Sequence, residues 1–139
     1  MGRVINPDSA GKERTRLTKA IVIALRELAR QNQPTPDARD LAAFIALALS
    51  TIAAGIDATV AAWEKRDYWL RADRFRRDWM WAGIAAQKMK EAVLSEDWGT
   101  VATLLPQIAQ KLSKVRVSEH HRLGRPWEGA YKKLKGDRA

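Results

Sequence analysis

The sequence contains no cysteine and only two histidines among its 139 residues. The lack of cysteine excludes a disulfide scaffold, a thiolate zinc site, an iron–sulfur cluster and a cysteine nucleophile. The two histidines are neighbours, His120 and His121, directly after Glu119, and adjacent side chains of a helix do not face one metal ion. We therefore predict no metal site, no cofactor and no catalytic residue, and we expect a non-catalytic protein.

Motifs typical of nucleotide-binding and hydrolytic enzymes are also missing. Ser9 and Lys12 have the spacing of some acyl-transfer sites, but no companion motif accompanies them. The Gly11-Lys12 pair lacks the upstream glycine of a phosphate-binding loop and is followed by Glu13. The remaining candidates for acid–base chemistry are carboxylates with an Arg or Lys at helical pairing distance, so ion pairing explains them. They are Glu64, Asp67, Asp73 and Asp78.

Signals for strands and for membrane segments are scarce. β-branched residues cluster at Val4-Ile5 and around Val115, and both clusters are too short for a strand. The longest apolar run covers residues 41–56, whereas a spanning helix needs about 20 apolar residues. The beginning of the chain lacks the apolar core of a signal peptide. We predict a soluble, cytoplasmic protein with no membrane partner.

Apolar residues recur at helical spacing through most of the chain, which predicts an all-α protein. The expected architecture is one domain, residues 1–139, folded as an antiparallel four-helix bundle with an additional short C-terminal helix. The expected helices cover about residues 7–31, 36–64, 67–94, 96–116 and 126–135.

Residues that favour helix ends set these limits. The first helix has two alternative caps, Asn6 and Ser9. Pro106 lies inside the fourth helical pattern and predicts a kink, and Pro126 is expected to open the last helix. Single caps are expected for the three helices between: Thr35, Asp67 and Ser95.

The second predicted helix is apolar on more than one face. Phe44, Leu47 and Leu49 lie off the main apolar stripe. A helix of this kind is either central in its domain or packed against a second copy of the chain. The pattern therefore predicts a homo-oligomer that associates through this helix, as one of two interpretations.

The chain is strongly basic, with a formal net charge of +9, and one segment combines positive charge with aromatic residues. Residues 63–81 contain four of the six tryptophans and five arginines. Helical spacing predicts that Tyr68, Phe75 and Trp79 face the core and that Trp81 lies towards solvent. In one interpretation, Arg–Asp pairs and indole stacking stabilise the surface. The expected pairs are Asp73–Arg77, Arg74–Asp78 and Asp67–Arg71.

In the other interpretation, the guanidinium groups and indoles bind nucleic-acid phosphates and bases, or another polyanion. Basic residues of the first and last helices would extend this face if the helices converge. The candidate residues are Lys12, Arg14, Arg66, Trp69, Arg74, Arg76, Arg77, Trp81, Lys132 and Lys133.

Two alternatives to nucleic-acid binding remain open. The first is a homo-oligomeric structural or scaffold bundle, which would need no nucleic-acid role. The second is a small anionic or aromatic ligand held between helices near Trp63, Trp69 and Trp81.

Overall fold

The computed structural model describes residues 7–31, 35–118 and 123–137. Within these ranges the protein is all-α, as predicted, with five helices and no strand. The helices are α1 (Pro7–Ala29), α2 (Pro36–Lys65), α3 (Trp69–Leu94), α4 (Trp98–Lys111) and α5 (Ala130–Asp137). The His120–His121 pair and the predicted cap Asn6 lie outside the described residues.

The start of α2 follows the sequence signals closely. The Thr35 hydroxyl accepts a hydrogen bond from the Ala38 backbone N–H at 3.1 Å, and Pro36 is the first helical residue. Proline has no N–H, so this position suits it. The first helix already begins at Pro7, so Ser9 lies inside α1 and is not its cap.

The turn between α2 and α3 differs from the predicted one. Asp67 has a left-handed backbone with φ of 62°, so it does not cap α3. Tyr68 occupies the cap position without a side-chain hydrogen bond, and α3 starts at Trp69 rather than at Asp67. Tyr68, predicted to face the core, is half exposed as a result.

Ser95 closes α3 instead of opening α4. Its hydroxyl donates to the Glu91 carbonyl at 2.8 Å, and Glu96 follows with φ of 56°. Asp97 is therefore the cap of α4, and its carboxylate accepts hydrogen bonds from the Thr100 N–H and hydroxyl.

The last two helices are shorter than the sequence pattern predicts. Helix α4 contains Pro106 and ends at Lys111 rather than near residue 116, so residues 112–118 follow it as a turn and an irregular segment. Residues 126–129 form a turn, and α5 begins at Ala130 rather than at Pro126.

Helix α2 lies at the centre of the packing and contacts α1, α3 and α5, while α4 packs mainly on α3. Small residues allow the close approach. A Cβ at Gly83 of α3 would lie 3.6 Å from the Ala53 Cβ of α2, which is ordinary van der Waals contact. The two helices therefore approach each other through small residues at this point. The largest fully buried side chains come from all five helices: Ile21, Leu41, Ile45, Leu49, Met89, Val93, Ile108 and Leu134.

The same chain covers the apolar faces of α2. Phe44 and Leu49 are buried and Leu47 is half-buried, so these side chains do not form the spare face expected for a partner copy. By length and composition α2 could also cross a membrane, but half of its apolar window is buried within the fold. Central helices of soluble proteins have the same composition, so this is weak evidence for a membrane span.

Helix α5 is held against α2 by polar and apolar contacts. The Asp40 carboxylate accepts hydrogen bonds from the backbone N–H groups of Gly129 at 3.1 Å and Tyr131 at 2.9 Å. Trp127 and Leu134 are buried in the common core. A carboxylate of α2 thus satisfies donors at the start of α5 that have no partner within that helix.

Candidate functional site

One flank of α1 brings two cations and two threonines to the edge of the core. Thr18 is buried, Arg14 is half-buried, and Thr15 and Lys19 are exposed. The threonine hydroxyls donate to backbone carbonyls one turn earlier, Thr15 to Gly11 and Thr18 to Thr15. The threonine hydroxyls are therefore occupied, whereas the two cations form no side-chain hydrogen bond with the part of the chain that the structure describes.

The Arg14 guanidinium lies over aromatic rings of α3. Its central carbon is 5.0 Å from the centre of the Phe75 ring and 5.5 Å from that of Trp79. Partial burial lowers the pKa of Arg14 from its ordinary value, because burial disfavours the charged form. Arginine still remains protonated at neutral pH. No ion pair to Arg14 occurs within residues 7–31, 35–118 and 123–137.

The irregular segment after α4 supplies the third cation. Leu112 is buried, and the Val115 N–H donates to the Leu112 carbonyl at 3.0 Å. From α1, the Arg26 guanidinium donates to the Val117 carbonyl at 3.2 Å. These contacts hold Arg116 beside α1.

The three elements enclose a surface cavity of about 280 Å³, which we name the cation groove. None of its lining residues is acidic, and three are cationic, so the groove can attract and hold an anion beside an indole ring. The lining residues are Arg14, Thr15, Thr18, Lys19, Trp79, Val115 and Arg116.

The outer face of α3 is electrostatically different. Arg76 pairs with Glu64 at 3.1 Å, and Arg77 pairs with Asp73 at 2.6 Å. The second guanidinium nitrogen of Arg76 also lies 4.0 Å from Asp73. We name Glu64, Asp73, Arg76 and Arg77 the ion-pair face. Its two arginines were candidates for phosphate binding, and carboxylates of the chain already engage both.

Only one of the three predicted Arg–Asp pairs forms among the described residues, namely Asp73–Arg77. Asp67 lies in the left-handed turn, and Arg71 instead stacks over Trp63, 4.5 Å from the ring centre. In the same part of the chain, Arg66 and Arg74 are exposed and form no ion pair.

The tryptophans of the 63–81 segment take three different environments. Trp63 packs against Phe75 with ring centres 5.0 Å apart. Trp69 is exposed, whereas Trp81 is partly buried and stacks on Trp79 at 5.9 Å. Trp81 is therefore less exposed than the sequence predicted. Trp81 lines one cavity of the described residues and Trp79 lines two others, and none of these three includes Trp63 or Trp69. A ligand site near Trp63, Trp69 and Trp81 stays a prediction.

The one basic residue of α5 that lines a described cavity, Lys133, does not line the cation groove. Lys133 lines a separate cavity of about 440 Å³ together with Arg16, Glu13 and Glu128, so its environment carries both signs of charge. Lys12 and Lys132 are exposed, with no ion pair among the described residues. Arg14 and Lys133 thus line different cavities, and Arg76 and Arg77 belong to the ion-pair face.

Of the seven residues that line the cation groove, only Arg14 was a predicted site residue. Lys19 was not among the candidates, Trp79 was predicted to face the core, and Arg116 was placed in α4. Helical periodicity gives the direction of a side chain from its own helix, but it does not show where a segment from elsewhere passes. The early end of α4, which brings Arg116 to α1, left no clear signal.

The described residues contain no group of three or more His, Asp or Glu side chains that could hold a metal ion. Comparison with protein families, curated proteins and solved structures finds no match to the chain. The proposed function is therefore based on the residues of the cation groove, without support from a related protein.

Proposed function

We propose that the protein is a non-catalytic nucleic-acid-binding module that holds backbone phosphates in the cation groove. One observation supports this proposal above the others. Arg14, Lys19 and Arg116 come from two separate parts of the chain and meet at a cavity without an acidic lining residue. Phosphate contacts of this kind supply most of sequence-independent affinity for nucleic acids.

The state of Arg14 strengthens the argument. Its guanidinium is half-buried and stacked on two aromatic rings, and no carboxylate compensates its charge among the described residues. A partly dehydrated cation gains more from a bound anion than a fully hydrated one does. The aromatic packing also holds the planar group in one orientation, which reduces the entropy lost on binding.

An extended polyanion suits the surface better than a single ion. Further exposed cations occur beyond the groove on α1, α3 and α4, including Lys12, Arg74 and Lys111. The whole chain carries a formal net charge of +9, which attracts nucleic acid. Salt limits this attraction to distances of about 10 Å. Trp79 lines the groove beside the cations and is partly exposed, so it adds apolar contact surface to the phosphate site.

The test is a titration of fluorescein-labelled single-stranded DNA of about 20 thymidines, and of a duplex of equal length, at two salt concentrations. We expect a dissociation constant on the order of 10 μM near physiological salt, and weaker binding as salt rises. The double variant Lys19→Ala/Arg116→Ala should bind about 10-fold more weakly and show a smaller salt dependence.

A matched control is the double variant Arg76→Ala/Arg77→Ala, which removes the same amount of positive charge from the ion-pair face. We expect it to weaken binding by less than about threefold, because carboxylates already engage those groups. Equal losses in both variants would show that net charge alone matters. A lack of binding at low salt would reject the proposal.

A small anionic ligand is a second candidate for the same groove, favoured by the indole next to three cations. Adenosine monophosphate separates the two candidates, because it offers one phosphate and one base without an extended backbone. If it binds at micromolar concentration and competes fully with the oligonucleotide, the small ligand replaces nucleic acid as the preferred assignment.

For the architecture, we propose that α1 to α4 form a four-helix bundle with α2 at its centre and α5 as an additional helix. The contacts of α2 with α1 and α3, and of α3 with α4, support it. We also retain a cytoplasmic location, which accords with binding to nucleic acid.

The homo-oligomer remains an alternative, with a different surface. Met80 and Ile84 are exposed apolar residues of α3, whereas Phe44 and Leu49 of α2 are buried within the chain. Light scattering should give about twice 15.6 kDa if this face pairs two copies.

A further inference from the structure

The turn between α2 and α3 exposes three large apolar residues in succession. Tyr68 is 50% exposed, Trp69 59% and Leu70 84%. We name these three residues the apolar tip. A folded chain gains nothing in water from exposing Leu70 to this extent, and contiguous exposed apolar residues are typical of interaction sites.

Exposed cations surround the apolar tip. Lys65 and Arg66 precede it and Arg74 follows one turn after Leu70, and none of the three forms an ion pair within the described part of the chain. Asp67 is the one carboxylate between α2 and α3. The nearest carboxylates within these helices, Glu64 and Asp73, already pair with arginines. The exposed residues of the tip are therefore apolar, and the residues that flank it in the chain are mainly positive.

We propose that the apolar tip inserts into the surface of an anionic phospholipid bilayer. Tyr and Trp favour the boundary between headgroups and acyl chains, where one end of the ring is apolar and the other is wet. Leu70 enters the acyl region, and Lys65, Arg66 and Arg74 contact anionic headgroups. This proposal departs from the sequence-based expectation of no membrane partner, and the contact is confined to the bilayer surface.

The shape and size of the tip favour a bilayer over the other possible occupants. Stacking on bases uses the faces of aromatic rings, but the most exposed residue is Leu70, which has no such face. A stable dimer buries on the order of 1,200 Å² or more, and three side chains at a convex turn supply only a small part of that area.

The absence of cysteine makes a direct test possible. The full-length variant Leu70→Cys carries a single thiol, which is labelled with an environment-sensitive fluorophore. Ile84→Cys is the matched control, since Ile84 is also an exposed apolar residue of α3 and lies about 21 Å further along the helix. The vesicles are phosphatidylcholine alone, or phosphatidylcholine with about one third phosphatidylglycerol.

We expect the label at position 70 to shift to shorter wavelength with the anionic vesicles, and much less with phosphatidylcholine alone. The label at position 84 should not respond. In co-sedimentation, Trp69→Ser/Leu70→Ser should lower the fraction bound to anionic vesicles by about 10-fold. Met80→Ser/Ile84→Ser should bind as the unmodified protein does, and circular dichroism should show that both variants remain folded.

Three results would overturn the proposal. The first is no sedimentation of the unmodified protein with anionic vesicles. The second is an equal response of the labels at positions 70 and 84. The third is a response at position 70 to single-stranded DNA, or to protein concentration alone, that exceeds the response to vesicles. This proposal does not depend on the cation groove, because Lys19→Ala/Arg116→Ala leaves the tip unchanged.

Discussion

The ion-pair face and the cation groove both contain arginine near aromatic side chains, but they leave its charge in different states. On the ion-pair face, Arg76 and Arg77 lie within 3.1 Å of carboxylates. In the groove, no lining residue is acidic, and Arg14 rests on the rings of Phe75 and Trp79. The segment with the highest density of arginine is therefore not the surface best prepared to bind an anion.

The difference arises from how the neighbouring charges are supplied. Residues four apart on one helix can pair without help from the rest of the fold, as Asp73 and Arg77 do. The groove requires α1, α3 and the segment after α4 to converge. The Asp73–Arg77 pair thus follows from local sequence, whereas the Arg76–Glu64 pair joins α3 to α2 and the groove depends on three converging segments.

The largest effect is expected from Thr15→Glu, which would give the groove the character of the ion-pair face. Thr15 is exposed and lines the cavity, so a carboxylate there can pair with Lys19 or Arg116. We expect oligonucleotide affinity to fall about 100-fold, because like charges repel at the binding site. Thr15→Gln is the control for size, and fluorescence anisotropy measures both. A similar loss with Gln would mean that bulk rather than charge is responsible.

The next effect concerns the stacked guanidinium. Arg14→Met retains a long apolar side chain over Phe75 and Trp79 but removes the charge. We expect affinity to fall about 10-fold, while the unfolding free energy changes by less than about 1 kcal/mol. Chemical denaturation checks the second value. Unchanged affinity would remove Arg14 from the proposed site.

A smaller effect, of opposite sign, is expected from freeing the ion-pair face. Glu64→Gln/Asp73→Asn leaves Arg76 and Arg77 without their carboxylate partners. We expect a gain in oligonucleotide affinity of about threefold and a steeper dependence on salt. If affinity does not rise, unpaired arginine on α3 is not sufficient, and the shape of the groove is required.

The smallest effect is expected at the cap of α4, because this helix positions Arg116. Hydrogen bonds from the Thr100 hydroxyl and then from its N–H lower the pKa of Asp97 below the ordinary value. A carboxyl whose pKa is lower in the folded chain stabilises the fold above its unfolded pKa of about 3.9, and this contribution disappears as pH falls through the folded pKa.

We therefore expect Asp97→Ala to lower the melting temperature at pH 7, with a difference that shrinks towards pH 3. Oligonucleotide affinity should fall by less than about twofold. Differential scanning calorimetry at both pH values measures the effect. A difference that persists at low pH would show that the carboxylate charge is not responsible.

The sequence predicted the helices better than their ends. The Thr35 cap and the start of α2 were readable, because cap and proline signals coincide there. The starts of α3 and α4 were placed too early, since Asp67 and Glu96 adopt left-handed conformations that few non-glycine residues take. Nothing in the residue types at these positions distinguishes such a turn from the first turn of a helix.

The candidate site was predictable only in part. Arg14 was included because of its charge. Arg116 and Lys19 were not included, because their proximity depends on contacts between α1 and the segment after α4, such as the Arg26–Val117 hydrogen bond. Ion pairing within α3 followed from spacing, whereas the groove depends on convergence that spacing does not encode.

The carboxylate of Asp40 has a consequence for how the chain completes its fold. Helix α5 has eight residues, too few to persist alone in water, and its opening amides are bound by a residue 89 to 91 positions earlier. Closure of so long a loop is entropically unfavourable until the earlier helices are assembled. Hydrogen exchange at the amides of Gly129 and Tyr131 should consequently become slow only at the final stage of folding. Protection of these two amides therefore reports the docking of α5 onto α2.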